Sequence, residues 1–164
     1  MDKVITLNDA PVLLKTKSTE EITFPLTDDV KVIIASLELY SAINAGRGMA
    51  AIQLGHQKRL FVMEKPAGSG RFVTIINPSI ISISSKKRQR PEACFSVPLS
   101  DGIGVVVERP ASVKARYQDS AGTTIIEELT GNNAQTFLHE YSHLEGFTML
   151  DSSKYGKFIE FVRV

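Results

Sequence analysis

The chain has no tryptophan, a single cysteine and only three histidines among its 164 residues. One cysteine excludes an internal disulfide, so no disulfide framework holds the fold, and a reducing compartment is favoured. No apolar run approaches the ~18 residues that a membrane-spanning helix needs. Residues 1–20 also lack the apolar core of a secretory signal, because the patch at 10–14 is short and contains Pro11. These absences give a cytoplasmic protein with no membrane partner as the expectation. A mature organellar chain whose leader had been removed would read the same. Excess charge is missing too: 19 basic against 18 acidic residues leave a formal net charge of +1. That balance argues against DNA binding, which usually needs a basic excess.

What is present is ordinary for a globular chain, with 43% apolar and 23% charged residues. The length suits one domain over residues 1–164, and a monomer is the expected state. Residues 66–70, Pro-Ala-Gly-Ser-Gly, separate two apolar runs and read as a hairpin connection. Residues 84–91 hold Lys86, Lys87, Arg88 and Arg90 and read as a solvated loop. The sharper alternative for that basic run is a weak electrostatic contact with RNA or a ribosome.

Helical spacing of Val30, Ile33, Ile34 and Leu37 predicts a first helix over 28–45, capped by Thr27 or Asp28 and stopped by Gly46. Strand-like runs follow at 59–64, 72–77, 80–83, 104–108, 112–118 and 123–129, with a turn at 119–122. A second helix is expected over 132–145, with Gly146 as its left-handed terminus. Residues 157–164 are β-branched and aromatic and read as a final strand. The expected class is α+β: mixed or antiparallel strands around a central helix, one N-terminal helix and a C-terminal strand.

That central helix carries His139-Glu140-Tyr141-Ser142-His143, an HExxH pattern. Residues four apart stack on one helix face, so both imidazoles can reach one metal ion with Glu140 beside it to handle a water proton. Two surface histidines on an amphipathic helix would give the same letters. Two ligands are too few for a catalytic zinc-type site, which takes three from the protein. No histidine follows His143, so the third must come from elsewhere. Glu160 downstream and Cys94 upstream both remain open on residue chemistry alone. With Glu160 the chain would be an ordinary zinc endopeptidase. His56 is assigned a loop and no role.

Two further stretches surround these residues: Gly46-Arg47-Gly48-Met49-Ala50-Ala51-Ile52-Gln53 and Glu92-Ala93-Cys94-Phe95-Ser96. With His139-Glu140-Tyr141-Ser142-His143-Leu144-Glu145-Gly146 they resemble the three ordered motifs of peptide deformylases, G-x-G-[apolar]-A-A-x-Q, E-G-C-x-S and H-E-x-D-H-L-x-G. The resemblance covers nearly the whole chain. It implies that Cys94, His139 and His143 hold one divalent metal, Fe(II) in the cell and Zn or Ni in a purified sample. It implies Glu140 as the proton carrier, with Gln53 and the backbone N–H of Phe95 stabilising the oxyanion. Gly46 and Gly48 would let the backbone approach the substrate, an N-formylated peptide that loses its formyl group as formate.

Three departures from that pattern matter. Ala93 stands where the family has Gly, a cost of about 1 kcal/mol if the backbone there is left-handed. Ser142 replaces the Asp of H-E-x-D-H, which is expected to leave Arg109 without its carboxylate and to weaken the metal site. The positions resembling the family's methionine pocket, Arg47, Gln135 and Thr136 together with Glu92, are polar where an apolar lining is usual. That predicts a shifted substrate preference. Together the departures also motivate a second class of function, a deformylase-like binding protein that keeps the metal without turnover.

Overall fold

Residues 112–118 show how the sequence builds this molecule. Val113, Ala115 and Tyr117 are buried while Lys114 and Arg116 point to solvent, the period-two pattern of a half-buried strand. The computed structural model places them in β6 (Ser112–Gln118). It describes residues 3–164; residues 1 and 2, part of the N-terminal stretch considered above, lie outside the described residues.

The remaining elements, in order, are α1 (Pro11–Leu14), α2 (Asp28–Ile43), β1 (Gly48–Ala50), a 3-10 turn (Ala51–Leu54), β2 (Leu60–Glu64), β3 (Phe72–Ile83), β4 (Lys87–Glu92) and β5 (Ile103–Pro110). After β6 come β7 (Thr124–Thr130), α3 (Gly131–Leu144), β8 (Ser152–Ser153) and β9 (Gly156–Arg163). One sheet has the order β1-β2-β3-β6-β7 and a second the order β4-β5-β9-β8. All strand pairs in both are antiparallel. The class is α+β as expected, and the described chain ends in a strand.

β2 is buried along Leu60–Met63 because it has a helix on each face. Phe61 and Met63 pack with Phe137, Leu138 and Ala134 of α3. Leu60 and Val62 pack with Val30, Ile33, Ile34 and Leu37 of α2. A strand covered on both sides needs a continuous apolar run, which is what its sequence supplies. α3 thus lies against the first sheet, and the second sheet, through β5 and β9, meets its other side.

Several expected boundaries move. α2 stops at Ile43, and the left-handed residue behind it is Ala45 (φ 52°), not Gly46. Thr27 is its N-cap residue, but the Thr27 hydroxyl donates to Asp29 and not to the helix backbone. α1, a single turn opened by Pro11, precedes it, so the N-terminal half has two helices. The runs at 72–77 and 80–83 form one strand, because Asn77 (φ 50°) absorbs a bulge opposite β6. The Asn77 side chain holds that bulge by accepting from Ile22 N at 2.8 Å and donating to Ile22 O at 2.8 Å. The basic run is not a loop: Lys87–Glu92 is β4, an edge strand of the second sheet. Charged residues and proline suit an edge, where one side of the backbone faces solvent.

Candidate metal centre

α3 supplies two of the three clustered ligands. Its Ala134, Phe137, Leu138, Tyr141 and Leu144 anchor one face in the core, which turns His139 and His143 toward the second sheet. Their rings lie 5.2 Å apart at 69°. Cys94 follows β4 in a turn closed by Val97 N donating to Cys94 O at 3.1 Å. The ligand atoms of Cys94, His139 and His143 all fall within 4.8 Å of one another, and Cys94 Sγ is 3.3 Å from His143 Nε2. Burial pushes the Cys94 thiol up, but His143 and His139 outweigh it and bring the thiol down to about 5. A thiolate beside two imidazoles is a donor set that fits Zn or Fe(II). Glu160 sits exposed on β9, paired with Val106, and is not in the cluster.

Behind His139 stands a buried ionic support. His139 Nδ1 and Glu92 Oε2 are 2.7 Å apart, so with Nδ1 donating, Nε2 is the nitrogen left for a metal. Burial works against the Glu92 carboxylate, yet the Arg109 guanidinium holds it well below the usual carboxylate range. Arg109 is 1% exposed and grips Glu92 with two donors, Nε to Oε1 at 2.5 Å and Nη2 to Oε2 at 2.9 Å. Its Nη1 reaches Tyr155 O at 3.1 Å and Ser142 Oγ at 3.2 Å. Arg109 therefore has a carboxylate, contrary to the expectation from Ser142 alone. Ser142 Oγ also donates to Leu138 O at 2.7 Å, inside its own helix. Gly156 at the start of β9 completes this support, since a Cβ there would collide with Arg109 Nη1.

Glu140 is 3% exposed, and its Oε2 has no hydrogen-bond partner among the described residues. Burial raises its carboxyl to about 7, against the pull of His139 and His143. Gly48 makes room for it: a Cβ there would lie 2.9 Å from Glu140 Oε1 and 2.9 Å from Val62 O. Gly46 likewise yields to the Phe95 ring, 2.5 Å from where its Cβ would be. Both glycines are thus explained by close packing of Glu140 and Phe95, a reason the sequence alone did not give. Gln53 Oε1 accepts from Ala50 N at 2.9 Å. That fixes the amide so that Nε2 faces Ser96 Oγ at 3.1 Å and Cys94 Sγ at 3.7 Å. Ala93 is not among the positive-φ residues, so its replacement of Gly carries no backbone strain.

These groups open onto one cleft of about 560 Å³. Gly46, Arg47, Gly48, Gln53, Glu92, Cys94, Phe95, Gln135, Thr136, His139 and Glu140 all line it, while His143, Ser142 and Arg109 lie behind it. Glu92 is more a support than a free pocket wall, because Gln135 Nε2 also donates to its Oε1 at 2.6 Å. Arg90 and Asn132 line the cleft as well; the sequence placed Arg90 only in a basic run and gave Asn132 no role. Asn132 is seven residues before His139, so helical spacing alone could have placed it on that face. Arg90 could be placed only once β4 was known to be a strand, on which Arg88, Arg90 and Glu92 share a side.

A family model described as polypeptide deformylase matches residues 1–157 of this chain. The chain is 35% identical over 147 residues to a peptide deformylase of Finegoldia magna, covering 90% of this chain and 86% of that protein. It is 41% identical over 112 residues to a peptide deformylase of Thermotoga neapolitana, covering 68% of this chain. That second match spans 65% of the relative, slightly under two thirds of its length. Among solved structures, the peptide deformylase of Thermotoga maritima superposes with a TM-score of 0.79 at 31% identity, covering 92% of this chain and 95% of that one.

Proposed function

Because the chain belongs to the peptide deformylase family, we propose that it hydrolyses the formamide bond of N-formylated peptides, releasing formate and a free amino terminus. The observation that carries this reading is the meeting, at one cleft, of the Cys94 thiolate and the His139 imidazole, with His143 directly behind them, and a buried carboxylate whose Oε2 has no hydrogen-bond partner among the described residues. A divalent metal held by Cys94, His139 and His143, Fe(II) in the cell, supplies Lewis-acid polarisation and a lowered pKa for water.

The chain's own groups do the rest. Glu140 accepts a proton from the attacking water as the water oxygen bonds to the formyl carbon. It then delivers that proton to the amine nitrogen as the C–N bond breaks. Burial raises the proton affinity of this carboxyl, which suits it to hold the proton between the two transfers. Gln53 Nε2 and the backbone N–H of Phe95 would donate to the carbonyl oxygen as it gains negative charge. Glu92, held by Arg109, fixes the His139 ring so that its ligating nitrogen does not wander.

A binding protein without turnover has less support than its sequence motives suggested. Arg109 keeps a carboxylate and Ala93 is unstrained, so two of those motives are removed. The test is anaerobic purification with Fe(II), followed by formate release from formyl-Met-Ala-Ser, with Glu140→Ala as control. Formate from the wild type alone supports the deformylase. Metal uptake without formate supports the binding protein, and internal peptide cleavage would mean an endopeptidase.

A further inference from the structure

We infer, resting on the deformylase reading, that the cleft selects N-formyl compounds whose formylated residue carries a carboxylate side chain. The wall that runs from His139 along α3 presents Thr136, Gln135 and Asn132, with no large apolar side chain among them. Across from it, β4 places Arg90 two residues before Glu92, on the side of the strand that faces the cleft. Arg47, between the two glycines that back Phe95 and Glu140, closes the third side.

Charge decides what such a pocket prefers. The acidic side chains lining the cleft are Glu92 and Glu140. Glu92 is committed to Arg109, His139 and Gln135, and Glu140 is buried at the reacting centre. Arg47 and Arg90 are exposed residues at the lining of the cleft, and neither pairs with Glu92 or Glu140 among the described residues. A thioether side chain entering there can accept no ion pair and no strong hydrogen bond from the two guanidinium groups. A carboxylate would accept charge-assisted hydrogen bonds from them, the stronger kind. The Thr136 hydroxyl and Asn132 amide add neutral donors on the helix side.

The experiment compares kcat/KM of the Fe(II)-loaded protein on formyl-Glu-Ala-Ser, formyl-Met-Ala-Ser and formyl-Met-Glu-Ser. Formyl-Glu-Ala-Ser is expected to exceed formyl-Met-Ala-Ser, and equal values overturn the inference. Raised ionic strength should shrink its advantage, as screened charges predict. The double variant Arg47→Leu/Arg90→Leu should move the Glu-to-Met ratio about tenfold toward Met, mainly through KM. Formyl-Met-Ala-Ser ahead of formyl-Glu-Ala-Ser, or an acidic gain only at the second residue, overturns the inference and leaves the deformylase standing. An unchanged ratio in the double variant overturns it too. No formate from any of the three peptides sinks the deformylase reading itself.

Discussion

The two faces of α3 are both buried, and they are buried in different ways. Toward the five-stranded sheet, Ala134, Phe137, Leu138, Tyr141 and Leu144 fill a core with Phe61, Met63 and Ile75. Toward the second sheet, Gln135 and Ser142 are buried against Glu92 and Arg109 as polar partners, and Glu140 and His143 are buried at the metal centre between them. The first face is held by volume, because apolar contacts are nondirectional and close packed. The second is held by matched charge and hydrogen bonding, and a buried charge without its partner is costly. One helix thus gives the molecule its stability on one side and its chemistry on the other.

Substitutions on the two faces should therefore fail differently. Glu140→Ala should have the largest effect, a loss of roughly 10²–10⁴ in kcat with the melting temperature held or raised, since it removes a proton carrier and an unpartnered buried carboxylate. Formate assays beside thermal unfolding check both halves of that statement. Phe137→Ala on the opposite face should cost about 3–5 kcal/mol of stability by leaving a cavity. Denaturant unfolding measures it, and the residual folded protein should keep its metal.

Arg109→Leu sharpens the comparison. Alone it should destabilise by ~3–5 kcal/mol, because Glu92 is left charged and unpaired in the interior. Combined with Glu92→Leu, much of that stability should return. His139 Nδ1 would still lack its acceptor, so metal affinity in the double variant should stay about 10–100-fold weaker. Recovery of both properties would show that Glu92 only neutralises Arg109 and does not orient His139. Ser142→Asp should change metal affinity by less than about tenfold, because Arg109 already has a carboxylate. Metal competition titrations distinguish these cases.

The smallest effect concerns a pair away from the cleft. Burial would raise Glu145, but Arg59 at 2.9 Å, with Lys17, holds it below its ordinary value. A carboxyl depressed in the folded state contributes stability above its unfolded pKa and loses it as pH falls through the folded one. Its share should be no more than about 1 kcal/mol, since the pair is partly solvated. Stability of the wild type should fall more steeply than that of Glu145→Gln below about pH 4.

How far the sequence was legible depends on which force fixes each element. β6 was read to its ends, because one face is buried and the other is wet, so its residues alternate. β4 was missed because an edge strand needs no apolar face. Its lysine and arginines looked like a solvated loop. Asn77-Pro78 looked like the end of a strand because a bulge and a break use the same residue types. The helix at 28–43 was found, and its end was misplaced because Ala45, not a glycine, took the left-handed position.

The histidine pair could be read from spacing alone, since helix geometry places residues four apart on one face whatever surrounds them. Family resemblance singled out Cys94, but residue chemistry alone left Glu160 beside it. Only folding brings the turn after β4 to the helix face and leaves Glu160 exposed on β9. The same holds for Arg109 and Glu92. Their sequence separation says nothing about pairing, and in the β4–β5 register Arg109 lies opposite Arg88. Only the packed structure shows the guanidinium reaching along the strands to Glu92. Local periodicity fixed the segments that bury one face, such as β6 and α3; the partners of buried charges were decided by tertiary structure, because electrostatic pairing in the interior acts through space and not along the chain.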